Sequence, residues 1–176
     1  AQTNEPQGEH NVYRATTLED AAYLAVDVLK NQQGKGIDHR GRMADFMPVI
    51  ADQVSKLQPQ QTLVRGLYTG GTFCYEAQLL LQPVLGECYS NTPTKQVQKL
   101  DNIWQSQGNT IIDLGDDDFT RGKPHPMIDP TFRANAIIEQ SKDESVGLIL
   151  LDFELGFGSN GDPVGAMMGA IKEAKA

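Results

Sequence analysis

The chain has 176 residues, a formal net charge of −8 and 39% hydrophobic residues, long enough to bury one core but with some length left for surface loops or tails. The acidic balance disfavours nucleic acid and anionic membranes as partners, because the notable basic cluster is only the short HRGR at 39–42. No apolar run reaches the roughly 18 residues of a membrane span and no secretory leader is seen, while two cysteines are too few for a disulfide framework, so a reduced, cytoplasmic protein is expected.

The opening AQTNEPQGEH lacks methionine, which points to a processed chain or a fragment, and residues 1–11 read as a polar tail or linker. Thr16 and Glu19 have capping-box spacing, and Leu18, Ala21, Ala22, Ala25, Val28 and Leu29 then recur at helical spacing to about Asn31. NQQGKGIDHRGR predicts a loop. A second amphipathic helix follows, with Met43, Phe46, Met47, Ile50, Val54 and Leu57 on one stripe, read as core or as a packing surface.

From residue 62 the pattern becomes strand, glycine loop, helix, repeated. TLVRGLY predicts a strand, TGGT a tight loop, and FCYEAQLLLQ a helix stopped at Pro83. The polar segment from Gly86 to Asn109 predicts one short helix near KQVQKLDNIW. NTIIDLG is a second strand, and PTFRANAIIEQ a helix with Asp129 as N-cap and Pro130 at its first position. VGLILLDF is a third strand whose apolar run predicts burial on both faces, and Asp162-Pro163 opens the last helix. Strands separated by helices imply parallel pairing with right-handed crossovers, hence an α/β layered, mostly parallel sheet preceded by helices.

In open parallel sheets ligands bind beyond the carboxyl ends of the strands, so three loops are expected to converge: 69–72, 113–126 and 152–162. In the first, Gly70, Gly71 and Thr72 place free N–H groups at a helix start, where an anion is stabilised; an ordinary tight turn would have the same residues. It is not a P-loop, since no G-x-x-x-x-G-K-[ST] occurs. In the second, Asp116, Asp117 and Asp118 follow Asp113. Adjacent carboxylates at ~4 Å repel by about 4 kcal/mol at an effective dielectric of 20. They therefore either fan into water or are compensated by Arg121, Lys123, backbone N–H groups or a metal, for which magnesium is the suited ion. His125, between Pro124 and Pro126, has a restricted direction and could bind an anion, move a proton or bond a loop carbonyl. The third loop holds Gly156, Gly158 and Gly161 as G-x-G-x-x-G, but the helix restarts only at Asp162-Pro163, so neither NAD nor flavin is expected.

The stretches GLYTGGTFCYEAQLLL, SNTP, IIDLGDDDFTRGKPHPMIDP with the arginine of the following TFR, and ILLDFELGFGSNGDP together resemble the FdrA family. Its members are acyl-CoA-synthetase-like proteins related to succinyl-CoA synthetase. The resemblance covers about residues 62–175, and the segment from Val12 to about Leu29 is similar to the stretch joining the family's CoA-binding and ligase halves. It implies a flavodoxin-like ligase domain at 62–176, truncated at its C-terminus, behind a helical connecting segment at 12–61. It also implies chemistry through a phosphate mixed anhydride, either acyl-CoA ligation or carbamoyl transfer between oxamate and phosphate. CoA would bind through an N-terminal domain this sequence lacks, and other subunits are implied as partners.

The first expectation is therefore a ligase-like domain with an anion site, in which Gly70, Gly71 and Thr72 would serve as backbone donors and Arg121 and His125 would orient the anion. Asp113, Asp116, Asp117 and Asp118 serve as metal or structural acids, and Gly156 to Gly161 as a flap. The superfamily's phosphohistidine lies in a Gly-His-Ala-Gly type loop that is absent here, so His125 does not inherit that role. A second expectation is a non-catalytic scaffold that docks a partner on the stripe at 43–57, which requires that stripe to be exposed. A third, a flavodoxin-like cofactor carrier, requires visible absorbance from the purified protein.

Overall fold

The structure, a computed structural model, describes residues 13–30 and 39–176, without the side chains of 39–42. The expected tail at 1–11 and most of the expected loop at 31–42 lie outside these residues. The chain divides into two units at Lys56/Leu57.

The first unit holds helix α1 (Leu18–Leu29) and helix α2 (His39–Val54). The cap of α1 is one residue later than expected: Thr17 accepts from the Asp20 N–H at 3.0 Å, while the Thr16 hydroxyl donates to the Asp20 carboxylate. Helix α2 begins at His39, so HRGR belongs to its first turn rather than to a loop. The stripe read as core or packing surface is open to solvent, from 39% exposed at Ile50 to 58% at Val54.

The second unit contains strand β1 (Leu63–Tyr68), helix α3 (Gly71–Leu85), strands β2 (Cys88–Ser90), β3 (Gln98–Lys99) and β4 (Asn109–Asp113), short helix α4 (Asp117–Thr120), helix α5 (Thr131–Ser141), strand β5 (Val146–Leu151) and helix α6 (Pro163–Ala174). The strands form one parallel sheet in the order β3-β2-β4-β1-β5. The expected α/β layered fold is the one observed.

Alternation along the strands divides the core. Leu67 of β1 and Ile112 of β4 face α5 and α6, packing with Phe119, Ile137 and Met167; Tyr68 and Ile111, one residue away in each strand, face α3 with Cys74 and Ala77. At the amino end of the sheet, Arg65 is buried although charged. Its guanidinium donates to Gln140 Oε1 at 2.8 Å, to Asp143 at 2.9 Å and to the Gly108 carbonyl, tying β1 to the end of α5 and the start of β4. Burial pulls the Arg65 pKa down and Asp143 holds it up.

Four expectations for the second unit are corrected. The segment at 86–109 carries two short strands rather than a helix: β2 pairs with β4 through Tyr89↔Thr110, and β3 pairs with β2. Helix α3 runs through Pro83 to Leu85, because a proline so near the end removes only one internal hydrogen bond, and the Gly86 N–H closes the helix on the Gln82 carbonyl at 2.9 Å. Strand β5 is an edge strand and not buried on both faces; Leu148 is 49% exposed. Helix α5 starts at Thr131 with Pro130 at the cap, and Asp129 instead accepts from the Thr131 N–H and hydroxyl at 3.0 and 2.6 Å. The opening of α6 is as expected, Asp162 accepting from the Gly165 N–H at 2.9 Å with Pro163 in the first turn.

Candidate functional site

Adjacent strands β1 and β4 send their following helices to opposite faces: α3 lies on one and α5 on the other. Their carboxyl ends therefore part, leaving the crevice where parallel sheets take ligands. The loops at 69–72 and 113–126 meet there.

Thr69 leaves β1 buried and is held by β5. Its N–H donates to both Asp152 carboxylate oxygens at 3.0 and 3.2 Å, and its hydroxyl donates to Asp152 Oδ2 at 2.7 Å, with Glu154 Oε1 a longer 3.4 Å from the same hydroxyl. Asp152 in turn receives Arg133 from α5 at 2.6 Å, while Arg133 Nε donates to the Leu67 carbonyl at 2.9 Å and its guanidinium lies over the Phe153 ring. Both side chains of this ion pair are almost fully buried, so each charge depends on the other. Burial pulls the Arg133 pKa down, opposed by Asp152 and Glu154. Burial also pushes the neighbouring Tyr68 phenol up to about 12, so it stays neutral at physiological pH.

Gly70 then caps α3 with no side-chain hydrogen bond, so no cap side chain occupies the first-turn N–H groups of Gly71 and Thr72. A Cβ on Gly71 would lie 3.2 Å from Asp113 Oδ2, and one on Gly70 would lie 3.7 Å from Glu154 Oε1. The helix start is thus flanked by two carboxylates.

Asp113 ends β4 and is buried. Asn91, just past β2, donates from Nδ2 to the Asp113 carbonyl and accepts the Asp113 N–H on Oδ1, both at 3.0 Å. That amide extends the sheet ladder by one side chain and fixes the Asp113 backbone. Asp113 Oδ1 accepts from the Gly115 N–H at 2.9 Å. Burial pushes the Asp113 pKa up, reinforced by Asp116 and Asp152 and opposed by the Gly115 N–H and His125.

The aspartates that follow belong to the short helix α4. Asp116 caps α4, accepting from the Asp118 N–H at 3.0 Å, and Asp117 and Asp118 stand exposed in the first helical turn, where negative charge is favoured. Among the described residues no group of three or more His, Cys, Asp or Glu side chains is placed to hold a metal ion.

His125 does reach the crevice. Its Nδ1 accepts from the Met127 N–H at 3.2 Å, so the neutral ring carries its proton on Nε2. That nitrogen packs on Gly115, where a Cβ would come within 2.6 Å of Nε2 and 2.4 Å of the Thr69 carbonyl. Arg121 stands exposed at the end of α4, and among the described residues no hydrogen bond or ion pair joins its side chain to the crevice. Lys123 lies over the Trp104 and Phe132 rings at 5.7 and 5.4 Å and seats the loop on the α5 side.

The third loop docks on the second through Asn160, whose N–H donates to the Met127 carbonyl at 2.9 Å and whose amide donates to the Ile128 carbonyl at 3.2 Å. Gly156, Gly158 and Gly161 have open space where a Cβ would be, and Leu155 and Phe157 project into solvent. Residues to which the local sequence gives no role carry much of the site: Thr69, Asn91, Arg133, Asp152 and Glu154. Their one legible signal was polar residues placed where apolar strands end.

A sequence-family model described as CoA-ligase matches residues 67–176. The uncharacterized protein YahF of Escherichia coli (strain K12) is 50% identical over 129 residues, covering 73% of this chain and 25% of that protein. The chain thus spans only about a quarter of the length of this relative. With a parallel sheet, a strand-end crevice and a match that begins inside β1 and runs to the last residue, the chain belongs to the CoA-ligase family.

Proposed function

We propose that this CoA-ligase domain holds a small oxyanion at the Gly70-Gly71-Thr72 turn, as the phosphate-binding part of an FdrA-type acyl-CoA ligase or carbamoyltransferase. The observation that carries the reading is the start of α3: it opens in the β1/β4 crevice with no side-chain cap, and its turn is locked by Thr69, Asp152 and Arg133. Backbone donors held in advance stabilise charge on a phosphate or mixed anhydride without reorganising. His125, whose Nε2 packs on Gly115 close to the Thr69 carbonyl that leads into this turn, is the candidate orienting group or proton donor. Arg121, exposed at the end of α4, adds longer-range attraction that salt screens.

The test is calorimetric titration with phosphate, carbamoyl phosphate, oxamate and CoA, each with and without magnesium. Saturable binding of a phosphate-bearing ligand is expected, weakened about tenfold or more by His125→Ala, the scale of one lost charge-assisted hydrogen bond. Arg121→Ala should cost less and lose its effect in salt. No binding by well-folded protein would favour the second reading, a scaffold that docks a partner through α2. The observation behind that alternative is the exposure of Met43, Phe46, Met47 and Val54, each more than half exposed.

A further inference from the structure

We infer that Asp113 makes this site selective for oxyanions that carry a hydrogen-bond donor of their own, such as hydrogen phosphate or a carbamoyl group, over oxyanions with none, such as sulfate. The inference rests on the oxyanion reading above and names what that site accepts.

Asp113 is 7% exposed, and its two oxygens are in different situations. Oδ1 is occupied by the Gly115 N–H. Oδ2 receives no hydrogen bond among the described residues, yet it lies 3.2 Å from the Cβ position of Gly71, against the first residue of α3. The carboxylate has little freedom to turn away. Its backbone is fixed on both sides by Asn91, and Oδ1 is fixed by the turn at Gly115.

An ionised carboxylate only accepts hydrogen bonds, and the N–H groups of the first helical turn only donate them. A ligand spanning both must therefore accept on the helix side and donate on the Asp113 side. Hydrogen phosphate does this with its remaining O–H, forming a short charge-assisted bond to Oδ2. A carbamoyl group does it with its amide N–H. Sulfate at neutral pH has no proton, so one of its oxygens would face the Asp113 carboxylate oxygen, anion against anion, with no hydrogen to bridge them.

The other charged groups around the turn do not remove this bias. Asp152 is engaged by Thr69 and Arg133, and Arg133 is committed to Asp152 and the Leu67 carbonyl. Glu154 and Asp116 add negative charge, while His125 offers its Nε2 proton from the Gly115 side. The turn therefore combines backbone donors, one imidazole donor and an unoccupied acceptor. Discrimination of this kind is strong because the wrong ligand sets one anionic oxygen against another rather than merely leaving a hydrogen bond unmade.

The test titrates the wild-type chain with phosphate, sulfate and monofluorophosphate, the last matching hydrogen phosphate in shape while lacking its O–H. Phosphate should bind about ten- to a hundredfold more tightly than either of the others. The variant Asp113→Asn keeps an oxygen for the Gly115 N–H and presents an amide donor at the other position, so sulfate should bind it at least as tightly as phosphate does. Equal binding of phosphate, sulfate and monofluorophosphate by the wild type would overturn the inference while leaving the oxyanion site standing. So would unchanged discrimination in a folded Asp113→Asn chain. Failure of all three anions to bind would remove the oxyanion reading itself, and this inference with it.

Discussion

Gly115 is where side-chain size decides whether the crevice exists. A methyl group there would meet the Thr69 carbonyl at 2.4 Å and the His125 ring at 2.6 Å, so either the β4 turn or the imidazole must move. Gly115→Ala should destabilise the second unit by about 1–3 kcal/mol, the usual cost of forced overpacking, measured by denaturant unfolding. It should also shift the His125 ring resonances. An unchanged His125 environment would mean that the ring does not rest on this turn. Arg133 and Arg121 make a complementary point about charge: the arginine expected to orient the anion is exposed at the end of α4, while Arg133 is buried against Asp152. The partners are 19 positions apart in sequence, so no local spacing could have paired them.

Among the elements, those with strong local chemistry were legible. The apolar run of β1, the glycine turn after it and the Asp162-Pro163 opening of α6 each require only neighbouring residues to form. Asp162→Ala should cost about 1 kcal/mol of stability, with the crevice unaffected. A loss near zero would mean that the cap seen at Gly165 contributes nothing in solution. The elements that were missed depend on distant partners. Strands β2 and β3 have three and two residues, too few for a readable period, and β2 exists because β4 offers it a ladder. The exposed flank of β5 was equally hidden, because an apolar strand looks the same whether it lies inside a sheet or at its edge. The site followed the same division: its glycines and His125 could be read locally, whereas the Asn91–Asp113 clamp exists only once β2 and β4 lie side by side.

At the scale of the whole molecule, the ionisable groups pull stability in opposite directions with pH. Asp129 and Asp143 sit below the ordinary aspartate value because Thr131 and Ser145 donate to them, with Arg65 adding to the effect at Asp143. A carboxylate with a depressed pKa contributes stability present above its unfolded value and lost as pH falls through its folded value. Stability should therefore fall in acid below the ordinary aspartate range. Asp113 has the opposite sign: its pKa is raised, so its contribution is present below the unfolded value and lost as pH rises through the folded one. Asp113→Asn should accordingly be more stable than wild type at neutral pH, and this advantage should vanish in acid, as followed by thermal melts across pH. A variant less stable than wild type at pH 7 would show that the buried carboxylate is compensated more fully than its surroundings indicate. Stability sacrificed at such a position is what a group retained for binding, rather than for folding, is expected to show.

Whether an oxyanion occupies the start of α3 is tested most directly by a phosphate titration of the isotopically labelled chain followed by amide NMR. Saturable shifts of the Gly71 and Thr72 amide resonances, accompanied by changes at Gly115 and His125, are predicted. A well-dispersed spectrum in which those amides do not move, even at phosphate concentrations that would saturate a weak millimolar site, would contradict it.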